Sequence, residues 1–223
     1  MIGADLSFTA AERRVIRRCR TPAEVQQFLN ALPYNTEPPP DPATLRSFRG
    51  VIRHHTANCL EAAIAATVIL EQHGYPPLVM SLESIDHLDH VVFVYRRRGR
   101  WGSVARSRDL GLHGRRPVFR TPRHLALSYF DPFVDFTGRL KGYAVVDLGV
   151  LGEYDWRLAT HNVWKVERLL LDIPHHPIRS SNARVRRLRQ RYVTFRRAHA
   201  GAQPDYYDQR TWTALPPSAL GTR

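Results

Sequence analysis

Cysteine is almost absent from this 223-residue chain, which contains only Cys19 and Cys59. The two stand in unlike local contexts, so counting alone excludes a disulfide framework and a four-thiolate zinc site. Long apolar runs are missing as well. Nothing approaches the roughly 18 residues that cross a bilayer, and the opening MIGADLSFTAAERRVIRRCR lacks the order of basic, apolar and small residues of a secretory signal. The expectation is a cytoplasmic protein without a membrane partner. Acidic residues are in deficit, 20 against 33 basic ones, which leaves a net charge of +13, nearly all of it carried by arginine. Such a surface attracts phosphates, acidic proteins or anionic cofactors, although arginine-rich coding on a solvated exterior gives the same composition. The hydrophobic content of 43% is ordinary for a packed core.

The pattern along the chain predicts an α+β fold. Residues 9 to 31 read as two helices with Thr caps. A proline-rich connector follows, with a short helix around residues 42 to 49. From Asn58 to His73 the apolar positions describe a helix buried on most faces, closed by Gly74. LVMSLES, HVVFVYR and WGSVARS are strand-like, and the turn in RRRGR, centred near Arg98 and Gly99, makes the last two a hairpin. TPRHLALSYFDPF reads as a helix and GRLKGYAVVDL as a strand. Two helices and an aromatic tail then follow. The expected organisation is a catalytic domain over residues 1 to 160 and a basic helical extension over 161 to 223.

Cys59 raises the functional question. A structural cysteine packs inside an apolar run, whereas this one sits at the polar mouth of a helix, beside His54, His55, Thr56 and Asn58. The amino end of a helix offers free N–H groups and a positive dipole, which stabilise a thiolate, and the N–H of Cys59 itself is a candidate oxyanion donor. About thirty residues on, SIDHLDHVVFVYR supplies His87 and His90. Strand alternation favours His90, the first residue of the apolar run, as a base with a fixed direction. Across the hairpin His90 falls opposite residues near Ser107, with Asp109 just beyond. Asp109 is therefore the candidate orienting carboxylate, and Ser107 or Asn58 are the alternatives.

The stretches TANCLEAAIAA, DHVVFVYRRRGRWGSVARS and RTPRHLALSYFDPF resemble the transglutaminase-like branch of the papain-like cysteine enzymes, most strongly over residues 20 to 150. More narrowly, Cys59-Leu60-Glu61, Gly74-Tyr75-Pro76-Pro77-Leu78 and Asp89-His90 resemble bacterial transglutaminase-like proteins of undefined substrate. The resemblance implies a Cys-bearing helix packed on an antiparallel sheet, with Cys59 as nucleophile and His90 as its base. One departure stands out: the family's aspartate follows the hairpin tryptophan by a few residues, whereas after Trp101 the nearest acid is Asp109.

The expected chemistry is attack on an amide, ester or thioester carbonyl and transfer of the acyl group to water or an amine, without a cofactor. Asn58, Trp101 and Tyr129 are expected at the oxyanion site or cleft. The donor is a small molecule or peptide, with an acidic carrier protein or tRNA favoured by the arginine surface. A metal site built from His54, His55, His175, His176, Asp86, His87, Asp89 or His90 lacks the spacing of the zinc hydrolases. RVRRLRQRYVTFRR places Arg184, Arg187 and Arg191 on a helix suited to polyanions, and this supports the competing reading, a non-catalytic module that binds nucleic acid or an acidic protein.

Overall fold

The computed structural model describes residues 7–37, 40 and 42–216. Thr9 and Thr21 open α1 (Ala10–Arg18) and α2 (Pro22–Ala31) with capping boxes completed by Glu12 and Glu24. Ser47 opens α3 (Phe48–His54), so the helix expected around residues 42 to 49 begins later. The amides of Thr44 and Arg46 are taken by the carboxylates of Glu37 and Glu61, which keeps that segment out of a helical ladder. α4 (Cys59–Glu71) is buried from Leu60 to Glu71. It ends where Gly74, at φ +82°, lets the Tyr75 amide turn back to the Leu70 carbonyl.

β1 (Leu78–Ser84), β2 (His90–Arg97), β3 (Arg100–Val104), β4 (Arg115–Phe119), β5 (Leu140–Asp147) and β6 (His176–Pro177) form one antiparallel sheet in the order β4-β3-β2-β1-β5-β6. The β2–β3 hairpin turns at Arg98 and Gly99, both at positive φ, with Arg97 paired to Arg100. β3 stops three residues short of the expected WGSVARS. Gln26 of α2 takes both the N–H and the carbonyl of Ala105, replacing a strand partner with a side chain.

Alternation along β2 divides the core. Val91, Phe93 and Tyr95 face α4, which lies among α1, α2, α3 and α6 (Trp164–Asp172). Val92 and Val94 face the other side, toward Tyr129, Phe130 and Phe133, which follow α5 (Pro122–Leu127), and toward Val185 of α7 (Asn182–Ala198). Residues after 160 therefore contribute a strand to the sheet and side chains to both clusters. Further on, Trp212 bridges to Arg115 and the Thr213 amide donates to the Gly114 carbonyl. No helix among the described residues is long and apolar enough to cross a membrane.

Candidate active site

Cys59 is the first residue of α4 and Asn58 is its cap. The Asn58 side chain accepts from the Glu61 amide at 3.0 Å, and Glu61 accepts from the Asn58 amide at 2.9 Å. Glu61 is fully buried, yet its carboxylate also receives the Thr44 hydroxyl at 2.9 Å, the Arg46 amide at 2.9 Å and the Asn35 side chain at 3.2 Å. A buried acid satisfied this completely is tolerated, and it ties the start of the helix to the connector before it. Asn58 is spent on this cap and its Nδ2 turns toward Glu37 and Thr44, so it does not orient a histidine.

Cys59 is half-buried and lines two cavities, of about 430 and 250 Å³. Burial pushes the thiol pKa up. The Val91 amide, the Tyr34 hydroxyl and the amides of Leu60 and Cys59 oppose that shift without cancelling it. The helix start thus contributes as expected, but desolvation outweighs it and the resting group is a thiol.

Tyr34 was not legible as a site residue. Its backbone bridges to Ala57, and its hydroxyl stands beside both the sulfur and the Cys59 N–H. Burial is the main cause that holds the phenol well above its ordinary pKa, with the sulfur adding to it, so the hydroxyl stays protonated. Arg106 and Arg108 lie 5.8 and 5.9 Å from its ring centre. The sequence signal is weak, because Tyr34 sits in the proline-rich segment that reads as a connector.

His90 opens β2 opposite Leu82 and is 3% exposed. Its Nε2 lies 2.8 Å from the Leu112 carbonyl. A carbonyl only accepts, so Nε2 carries the proton and Nδ1 holds the free lone pair. Burial lowers the imidazole pKa to about 4; the Leu112 bond raises it and the Arg115 charge lowers it further. Tyr129 and Phe133 flank the ring, with centroids 6.2 and 6.5 Å away. Cys59, His90, Ser107 and Asp109 all line the smaller cavity. Among the described residues no hydrogen bond joins the Cys59 sulfur to the imidazole.

Several expected positions are corrected. Asp109 does not orient His90: β3 has already ended, and the chain passes through a 3-10 turn, Leu110–Leu112, that presents a main-chain carbonyl there instead. The Asp109 carbonyl accepts from the Leu112 amide at 3.0 Å, while burial in the cleft raises the pKa of its carboxyl. Ser107 falls opposite His90 when the Phe93–Val104 register is continued, but its hydroxyl accepts from the Asp109 amide. Trp101 pairs with Arg96 near the hairpin turn and lines a separate cavity with His73 and Tyr75. Six residues of strand, about 20 Å, separate it from the His90 end. Tyr129 is fully buried behind His90, its hydroxyl on Ser103 Oγ and the His113 carbonyl.

His87, in the β1–β2 loop at φ +61°, lines the larger cavity and not the one that holds His90. Asp89 accepts from the Ser84 amide and Asp86 from the Thr137 hydroxyl. Among the described residues no three His, Cys, Asp or Glu side chains are grouped to hold a metal ion. On α7, Arg184 is paired with Asp131 at 2.7 Å and lies over Phe130, Arg191 lies 3.9 Å from the Tyr206 ring centre, and Arg187 is exposed.

No protein-family model and no curated protein matches the chain. Solved structures do. The chain is similar to LapG of Legionella pneumophila. The calcium-bound form of LapG is 18% identical over 44% of this chain and 65% of that one, with a TM-score of 0.34, so the match spans less than two thirds of that structure. The EGTA-treated form is 14% identical over 67% of this chain and 89% of that one, and a further LapG structure is 13% identical over 67% and 88%, both with a TM-score of 0.37.

Proposed function

We propose that this protein is a cysteine-nucleophile enzyme of transglutaminase-like architecture that transfers an acyl group from an amide, ester or thioester to water or an amine. The observation that carries the reading is the Nε2–H bond from His90 to the Leu112 carbonyl, which leaves Nδ1 as the ring's free base, together with the cavity that Cys59 and His90 both line. With the thiol pKa raised and the imidazole pKa lowered, the resting pair is neutral. Proton transfer therefore accompanies attack. The sulfur bonds to the carbonyl carbon as its proton passes to Nδ1. The tetrahedral oxyanion lies against the Cys59 N–H and the Tyr34 hydroxyl. Collapse breaks the bond to the leaving group, which takes the proton from Nδ1. Water or an amine then attacks the thioester and gives its proton to Nδ1; collapse breaks the C–S bond, and the departing sulfur takes that proton to restore the thiol.

The cleft differs in sign from the exterior. Glu37, Asp86, Asp89, Asp109, Asp135 and Glu167 line the two cavities against the single guanidinium of Arg108. This lining supports a neutral or cationic group at the reacting end of the substrate. An acidic carrier would have to meet the arginine-rich outer surface instead.

The test is intact-mass measurement after exposure to p-nitrophenyl acetate. An acetyl adduct on Cys59, absent from Cys59→Ala and accompanied by release of nitrophenol, is expected. Adduct on other side chains alone overturns the reading. Iodoacetamide is expected to label Cys59 far faster than Cys19, which is 2% exposed.

A further inference from the structure

Among the described residues Arg115 is the one cation whose side chain is fully buried. Its side chain is fully enclosed, and among the described residues no carboxylate pairs with it. An isolated buried cation is costly unless its donors are satisfied. Here they are satisfied by oxygens of the main chain and one hydroxyl: Gly111 O at 2.5 Å, His113 O at 2.8 Å, Gly114 O at 3.4 Å, and Ser128 O and Oγ at 3.3 and 3.2 Å. Tyr129 and Trp212 lie over the guanidinium, 4.1 and 5.0 Å from it.

These acceptors alternate around Leu112. The guanidinium holds the carbonyl before it and the carbonyl after it, and the carbonyl of Leu112 itself goes to His90. Fixing both neighbouring peptides leaves the middle one little freedom to rotate. We propose that Arg115 is the positioning residue that aims the Leu112 carbonyl at His90, and so selects the imidazole tautomer that acts as base. This rests on the catalytic reading above, but it is measured separately. The chain segment over it completes the device, since the Arg116 amide donates to Thr211 O at 2.8 Å and the Thr213 amide to Gly114 O at 3.1 Å. These bonds seat Trp212 on the guanidinium.

A merely structural arginine would lower stability without changing the protonated nitrogen of His90. The readout is therefore nitrogen-detected NMR of the imidazole, which does not depend on turnover. In the native protein a slowly exchanging Nε2–H signal is expected. Arg115→Lys keeps a cation but not the fork of donors; it is expected to preserve the sheet's amide pattern while losing that signal to solvent exchange. With p-nitrophenyl acetate, kcat is expected to fall about 100-fold with KM little changed. Arg115→Met is expected to do the same, and to raise the His90 titration toward the ordinary imidazole range as water reaches the ring. An unchanged Nε2–H signal and titration in either folded variant overturns the proposal. If neither variant folds, Trp212→Ala decides: loss of the signal supports the proposal and its persistence overturns it. A native protein that shows the signal but forms no acyl adduct leaves the positioning intact and removes the catalytic reading.

Discussion

Tyr34 is the side chain on which the oxyanion reading depends. Its hydroxyl stands beside the Cys59 N–H, and its raised pKa keeps it a donor throughout the physiological range. Tyr34→Phe removes that donor and little else. The expected result is a fall in kcat of about 100-fold, with KM and the unfolding midpoint close to native. On the proposed mechanism, His90 sets the acid side of the activity profile. The imidazole acts as a base only when neutral, so turnover should hold down to mildly acidic pH and fall as pH drops through about 4. A loss already near pH 6.5 would mean that His90 is not the titrating base, and a pH series of the burst rate measures this directly.

Among the elements, α4 carries the proposed nucleophile, Cys59, and is also the most deeply buried helix. Its amino end is fixed by Glu61, which four separate groups satisfy. Glu61→Ala strands those donors and is expected to cost about 3 kcal/mol in urea unfolding. The elements were also the most legible scale in the sequence. Capping boxes, the glycine after α4 and the Arg98–Gly99 turn are local signals, and each marks the boundary it predicts. The opposition of Ser107 to His90 follows from that turn alone. Where β3 stops was not legible, because Gln26 ends it from nearly eighty residues away. The same gap explains Asp109: searching for a carboxylate near His90 overlooks a main-chain carbonyl, which has no residue type. Arg115 was equally hidden, as one arginine among many. Tyr34 reached the sulfur through a backbone bridge that no periodicity announces.

For the whole molecule, the buried histidines tie stability to pH. His90 and His113 have pKa values lowered by burial to about 4 and about 3. Below about pH 6.5 the unfolded chain binds protons at these sites that the folded one does not. Their stabilisation is full above that value and is lost as pH falls toward 4 and then 3. The expected sum is of the order of several kcal/mol, read as a falling urea midpoint across that window. Replacing His113 by Gln is expected to flatten the lower part of the curve.

The seating of Trp212 against Arg115 also bears on the order of folding. Synthesis proceeds from the amino end, so α4 and the strand that begins with His90 are made more than a hundred residues before the indole that covers the guanidinium. Asn30 reaches across 184 positions to the carbonyl of Ala214, two residues beyond that indole. Contacts this distant form late. The indole cover over Arg115 therefore closes after the sheet beneath it has been made, and on the proposed reading the imidazole gains its fixed tautomer only once residues 211 to 214 are in place.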